Sequence, residues 1–207
     1  MGHETTYLAY STAGRLTAPK LSDDQYHFTI WRPSLSHIRV PTLDWKTSLM
    51  FWLCHQLRLF RTREYAVILV QKGSEVVHRT CLLPTFWRWP FMNRDDLQVS
   101  AVWTDPAYRA KGIATSVSSR AISTFARTGR KFWYITRNDN YASIRVCTKA
   151  GFQLMGTAHR TSLLGLRLLG QFVIDSKTNR TEDFECEIEQ TIVFEANENP
   201  QIDRAAA

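Results

Sequence analysis

Residues 102–114, VWTDPAYRAKGIA, decide the reading of this chain, and residues 140–152, NYASIRVCTKAGF, echo them. Residues 97–104 read as a strand that stops at Asp105-Pro106. A short basic loop with one glycine follows, and then a helix in which Ile113, Val117, Ala121 and Phe125 recur every four residues as one apolar stripe. A strand that passes through such a loop into a helix is a place to hold an anion. The first N–H groups of the helix have no intrahelical partner, and the macrodipole adds positive character there. Gly112 lets backbone approach a ligand with no Cβ in the way, the small Ala114 helps, and Arg109 and Lys111 add cationic side chains. Tyr108, Ala110 and Ile113 complete this loop and first turn.

Working outward, residues 131–136 read as a second strand, leading to Asn140 at the start of a short helix. Upstream, residues 26–32 alternate as a first strand stopped by Pro33. Trp45, Leu49, Trp52, Leu53, Leu57 and Phe60 recur near helical spacing and predict an amphipathic helix over 43–60. Residues 64–72 and 75–83 form a hairpin signal around Lys72-Gly73-Ser74. Residues 84–94, with two prolines and Phe86-Trp87-Arg88-Trp89-Pro90-Phe91, are a bulky loop at a strand end. Its rings read first as core packing, with a substrate rim as the alternative. Downstream, residues 163–170 read as a loop or short helix. Phe184, Cys186, Ile188, Ile192 and Phe194 lie on one side of a period-two strand whose other side is acidic.

The chain has 207 residues, room for one domain with a core that needs neither metal nor disulfide. The expected division is a loose arm over 1–24 with at most one short pairing, a domain over 25–195 and a disordered tail over 196–207. Hydrophobic content of 44% and charged content of 22% fit a soluble globular class. The formal charge of +7 is scattered rather than clustered, which suits a polyanionic cofactor better than a nucleic acid. Cys54, Cys81, Cys147 and Cys186 show no metal-ligand spacing, so no metal is expected, and reduced thiols point to a cytoplasmic protein. Residues 1–20 lack an apolar signal core, and neither apolar run, 48–60 or 162–174, is long enough for a membrane span. The edge of a terminal strand leaves room for a homodimer.

The two quoted stretches resemble the GCN5-related N-acetyltransferases (GNAT superfamily). Pro106, Arg109, Gly112 and Ala114 match the family's acetyl-CoA signature, while Asn140, Ser143, Lys149, Gly151 and Phe152 match its second signature. The resemblance covers about residues 97–157. It implies a single-domain α/β fold: a mixed, mainly antiparallel sheet with two splayed parallel central strands flanked by helices. It also implies acetyl-CoA as co-substrate, bound by Trp103, Thr104, residues 109–114, Asn140, Ser143 and Lys149. Backbone N–H groups at a bulge near Trp103 and Thr104 would polarise the thioester.

The reaction so implied is acetyl transfer to a primary amine of a small-molecule acceptor, by direct attack in a ternary complex. Aromatic, Pro-rich residues 79–110 are similar to members associated with bacterial cell-envelope glycans, so an amino-sugar nucleotide is the first acceptor expected. Where the family often has a Tyr acid, this chain has Cys147, which reads either as a proton donor or as packing, with Tyr141 or a water as the acid in the second case. His78 is the nearby imidazole, a base or a satisfied strand histidine. Asn140 reads as a helix cap, as a contact to the cofactor arm, or as both. The rival readings are transfer of a longer acyl group and a non-catalytic acyl-CoA-binding or partner-binding domain.

Overall fold

The computed structural model describes residues 6–13, 25–162 and 170–175. These form one mixed sheet with strand order β2-β3-β4-β5-β6-β1-β7-β8. In chain order the strands are β1 (Tyr7–Thr12), β2 (Tyr26–Trp31), β3 (Ala66–Lys72), β4 (Glu75–Pro84), β5 (Leu97–Thr104), β6 (Phe132–Arg137), β7 (Gln153–Arg160) and β8 (Phe172–Ile174). The helices are α1 (Trp45–Gln56), α2 (Ile113–Phe125) and α3 (Tyr141–Lys149). Only β5 and β6 pair in parallel; every other described pairing is antiparallel. The mixed α/β architecture and the parallel pair agree with the sequence reading.

Two cores sandwich the sheet. Against one face, α2 presents Ile113, Val117, Ala121, Ile122 and Phe125, with Ile144 and Cys147 of α3, onto Leu8, Ile68, Leu82, Leu97 and Val99. The stripe expected for α2 is therefore buried at all four positions. On the other face, Phe51 and Cys54 of α1 pack with Tyr65, Val67, Leu69, Cys81 and Leu83. Phe86, Trp89 and Met92 of the aromatic loop belong to this second core, which is the packing reading of those rings.

Helix α1 is shorter than expected. It starts where the Asp44 carboxylate accepts from the Thr47 N–H at 2.9 Å, and it ends before Arg58, whose left-handed φ of 57° turns the chain away. Its buried face is Ser48, Phe51 and Cys54 rather than the larger side chains, so Trp45, Leu53 and Leu57 stand exposed. Period counting favoured the bulkier residues.

Within the first 24 residues, where a loose arm with at most one short pairing is expected, Tyr7–Thr12 form an interior strand. Strand β1 lies between β6 and β7, pairing along its length with β6 from Tyr7↔Arg137 to Thr12↔Phe132, and residues 8–11 are buried. A strand flanked on both edges and covered on both faces shows no hydrophobic alternation, and YLAYST carries little apolar bulk. The readings made for residues 163–169 and 176–207, including Cys186, the acidic strand and the tail, lie outside the described residues.

Loop 85–96 and the start of the parallel pair are tied by one carboxylate. Buried Asp96 accepts from Lys131 N–H, Asn93 N–H and Trp133 Nε1–H, each at 2.9 Å. Every oxygen is thus paired out of water.

Candidate functional site

Strands β5 and β6 pair only through Leu97↔Phe132, Gln98↔Trp133 and Val99↔Tyr134. Beyond that point β5 stays with β4, ending at Trp103↔Arg79 and Thr104↔His78, while β6 stays with β1 out to Arg137↔Tyr7. A cleft therefore opens between the two strands toward their C-terminal ends, where parallel α/β sheets place their ligands. Both following helices begin at that end of the sheet.

A bulge shapes the cleft's β5 wall. Ala101 and Val102 together stand opposite Thr80, between the pairs Cys81↔Ser100 and Arg79↔Trp103. Ala101 has a φ of 48°, the left-handed region that costs a non-glycine residue about 1–2 kcal/mol. The extra residue reverses the strict two-residue alternation of a regular strand from that point on. Val102 now packs on the α2 face with Leu97 and Val99, and Thr104 meets His78 there, while Trp103 lies against Arg79.

The loop from β5 to α2 is curled by two left-handed residues, Ala110 at φ 60° and Gly112 at φ 72°. Such turns gather backbone N–H groups into an anion-sized concavity. Asp105 caps the turn at Pro106–Tyr108 by accepting from Ala107 N–H at 2.9 Å, so it is a turn residue. Gly112 takes the N-cap position of α2 and gives no side-chain cap. Among the described residues, a Cβ built on it would meet nothing beyond its chain neighbours within 4 Å, so the space beside it is open. The loop cations brace the turn: Arg109 Nε–H donates to Thr104 O at 3.2 Å, and Lys111 Nζ sits 4.9 Å from the centre of the Tyr108 ring. Ile113 is buried, leaving its backbone as its surface at the site, and Ala114 is half-buried.

Across the cleft, Asn140 caps α3 by accepting from Ser143 N–H at 3.1 Å. Tyr141 begins that helix and is exposed. Lys149 lies in the last turn of the same helix, roughly 14 Å along its axis from the cap, so the structure does not gather it with the others.

The candidate proton-transfer residues separate sharply. Cys147 is fully buried, its Sγ donates to Ile144 O at 3.1 Å, and burial pushes its thiol up to about 12. A neutral thiol in that position packs; it neither attacks nor ionises near neutral pH. His78 is also sealed, with Nδ1 2.7 Å from Thr104 Oγ1 and Nε2 2.8 Å from Thr80 Oγ1, one nitrogen donating and the other accepting. Burial, reinforced by the neighbouring Arg79 charge, depresses its pKa to about 3. These are the contacts of a satisfied strand histidine.

That depression carries a stability prediction. The unfolded imidazole titrates near 6.5 and the folded one near 3, so the unfolded chain binds more protons between those values. The contribution is complete above the unfolded pKa and is lost as pH falls, by at most about 1.4 kcal/mol per unit. Urea unfolding at pH 7.5 and 5.5 should show this loss in the parent chain and a flatter response in His78→Gln. Equal slopes would mean that His78 does not titrate in this way.

The sequence reading missed Tyr134. This buried β6 residue forms the last parallel pair before the cleft, and Ser143 of α3 is near enough to act on its hydroxyl. Its ring meets Phe152 edge-on at 5.8 Å, and burial raises its pKa to about 12, so it is a protonated phenol at neutral pH. As one apolar-looking letter inside FWYITR it gave no signal. Among the described residues no group of three or more His, Cys, Asp or Glu could hold a metal ion, and no helix is long and apolar enough to cross a membrane.

No curated protein matches the chain. Among solved structures, a putative acetyltransferase from the GNAT family of Novosphingobium aromaticivorans is 15% identical and has a TM-score of 0.46, with coverage of 74% of this chain and 61% of that one. A GCN5-related N-acetyltransferase from Sphaerobacter thermophilus gives 13%, 0.49, and 74% and 50%. A Drosophila protein gives 10%, 0.51, and 75% and 49%. At such identities the likeness concerns the fold alone, and the chain spans 49–61% of the length of these three structures. The model of the acetyltransferase (GNAT) family matches residues 29–152, more than half of the 207, and includes β3 to α3, the bulge and the curled loop. The chain belongs to that family.

Proposed function

We propose that this chain moves an acetyl group from acetyl-CoA to a primary amine of a small-molecule acceptor, by direct attack within a ternary complex. The observation that carries this is the cleft between β5 and β6 opening beside a helix start whose N-cap is the left-handed, unobstructed Gly112. In this reading the backbone N–H groups from Gly112 into the first turn of α2 hold the pyrophosphate. Trp103 and Thr104 flank the pantetheine arm on one side, and Asn140 and Ser143 do so on the other. The N–H groups released by the bulge face the thioester carbonyl. Acetyl-CoA supplies the activated acyl group; the chain supplies its orientation and the exclusion of water.

The proton for the leaving thiolate comes from Tyr141 or from water. The Tyr134 hydroxyl beside the last parallel pair is a further donor, with Ser143 close to it. With Cys147 sealed as a neutral thiol, an acyl-cysteine route is disfavoured. An amino-sugar nucleotide remains the first acceptor to try.

Calorimetric titration with acetyl-CoA, followed by acceptor-dependent release of CoA, tests this. Binding and release with amino sugars or their nucleotides is the expected result. Release only with polyamines, peptides or aminoglycosides would remove the amino-sugar assignment. Binding without turnover against a broad amine panel would favour the non-catalytic reading, and faster turnover with longer acyl-CoA would favour the longer-acyl one.

A further inference from the structure

On the α1 face of the sheet, Arg79 of β4 is a cation largely out of water, 6% exposed. Its Nε–H donates to Ala101 O at 3.2 Å, which is the carbonyl of the bulge, and its Nη1 donates to Thr42 Oγ1 at 3.0 Å, just before α1. The guanidinium lies over the Trp103 ring, 5.7 Å from its centre. Among the described residues no carboxylate comes within 4 Å of it, and no hydrogen bond uses Nη2. Buried cations are ordinarily paired, because an uncompensated one is costly.

Two further polar groups are left over nearby on this face. Tyr65 immediately precedes Ala66, which pairs with Leu82, so it falls level with Leu83, and Leu83 pairs with Gln98. The Tyr65 hydroxyl and Gln98 Oε1 are buried and lack hydrogen-bond partners among the described residues. Arg79 stands four residues along β4 from Leu83, and its charge acts on the Tyr65 hydroxyl. A guanidinium edge, a hydroxyl and an amide oxygen, all unused on one apolar face beside the bulge, form an incomplete set of ligand contacts. The planar Nη edge of an arginine fits a carboxylate or phosphate, and its position against Trp103 fixes its plane.

We propose that the amine acceptor carries an oxyanion, a carboxylate or a phosphate, which docks on Arg79 beside the Ala101 bulge. This rests on the acyl-transfer reading, and the bulge is what brings the two together. The residue that fixes its carbonyl also anchors the acceptor, so an acceptor anion at Nη2 presents the rest of the molecule to the β5 wall of the cleft. Tyr65 and Gln98 take hydroxyl or ammonium groups of the same acceptor.

The first test needs no turnover. In 15N-labelled protein the Arg79 Nε–H resonance is identified by its loss in Arg79→Lys, and it is followed during titration with sodium acetate or inorganic phosphate against chloride at equal ionic strength. A saturating shift at Arg79 and at the Trp103 indole is expected, and the anion that saturates lower names the acceptor's acid group. No response to either anion overturns the proposal, including the case in which a carboxylate from elsewhere in the chain already holds Arg79.

The second test compares CoA release with glucosamine against glucosamine 6-phosphate, and with propylamine against β-alanine. The acid-bearing member of at least one pair should show a KM lower by about tenfold, the effect of one charge-assisted hydrogen bond. Arg79→Gln should erase that difference chiefly through KM, and Arg79→Lys should restore part of it. Equal loss of kcat for charged and neutral acceptors would instead show that Arg79 serves the bulge alone. Failure to bind acetyl-CoA would refute the acyl-transfer reading while leaving the anion titration able to decide the site.

Discussion

Gly112→Trp should abolish acetyl-CoA binding, lowering affinity by at least about 100-fold, which is about 2.7 kcal/mol. The indole would fill the open volume ahead of α2, where no described residue beyond the chain neighbours lies within 4 Å of a Cβ. Because that space is open, the steric penalty falls on the ligand rather than on the fold. The fold pays separately, since φ is 72° and a side chain in the left-handed region costs about 1–2 kcal/mol. Gly112→Ala separates the two effects: it carries the same backbone penalty with little bulk, so it should lose similar stability and far less affinity. Calorimetry with circular dichroism on both variants is the check. Undiminished binding in the Trp variant would move the pyrophosphate away from this helix.

The second large effect is expected far from the cleft, where the end of α2 meets the start of β3. Arg130, whose side chain is 1% exposed, pairs with Glu64 and donates to the carbonyls of Asp95 at 2.6 Å and Phe125 at 2.8 Å. Exposed Arg127 reaches the same carboxylate at 2.7 Å. One buried guanidinium thus joins the approach to β3, the turn before β5 and the last turn of α2. Glu64→Ala strips the charge partner from Arg130 and should destabilise the fold by about 3 kcal/mol, the lower end of the range for a broken buried pair because the carbonyls remain. Replacing both residues, as Glu64→Gln with Arg130→Met, should recover a good part of that loss. Urea unfolding of the single and double variants measures it, and a cost below about 1 kcal/mol for the single change would mean that the carbonyls satisfy Arg130 unaided. Arg32 stacks 5.8 Å from the Phe125 ring beside a separate pocket of about 180 Å³ lined by Glu64, Arg127 and Arg130.

What the sequence disclosed divides by the distance over which the chain must act. Strand β5, the loop at Gly112, the stripe of α2 and the Asn140 cap are local patterns, each set within a dozen residues, and each was legible. Strand β1 depends on partners more than a hundred residues away, and its letters have no alternation to betray it. The bulge at Ala101 is a register event between two strands, and no count of alternation along β5 alone tells which faces Val102, Trp103 and Thr104 take. His78 and Cys147 drew notice by their chemistry, yet their environments, two hydroxyls for one and a backbone carbonyl for the other, exist only in three dimensions. Arg79, Tyr65 and Gln98 are ordinary letters in sequence and become conspicuous only through missing partners.

The place of β1 also bears on how the molecule is made. Strand β1 leaves the ribosome well before its partners β6 and β7, the latter ending at Arg160. At roughly 5–20 residues per second of synthesis, it waits on the order of ten seconds or more for its neighbours. During that time the β2–β5 meander can assemble around its own hairpins, while β1 trails as an unpaired segment with two open edges. Closure of the sheet is therefore a late, long-range event, and it sets the interval during which the nascent chain most needs a chaperone.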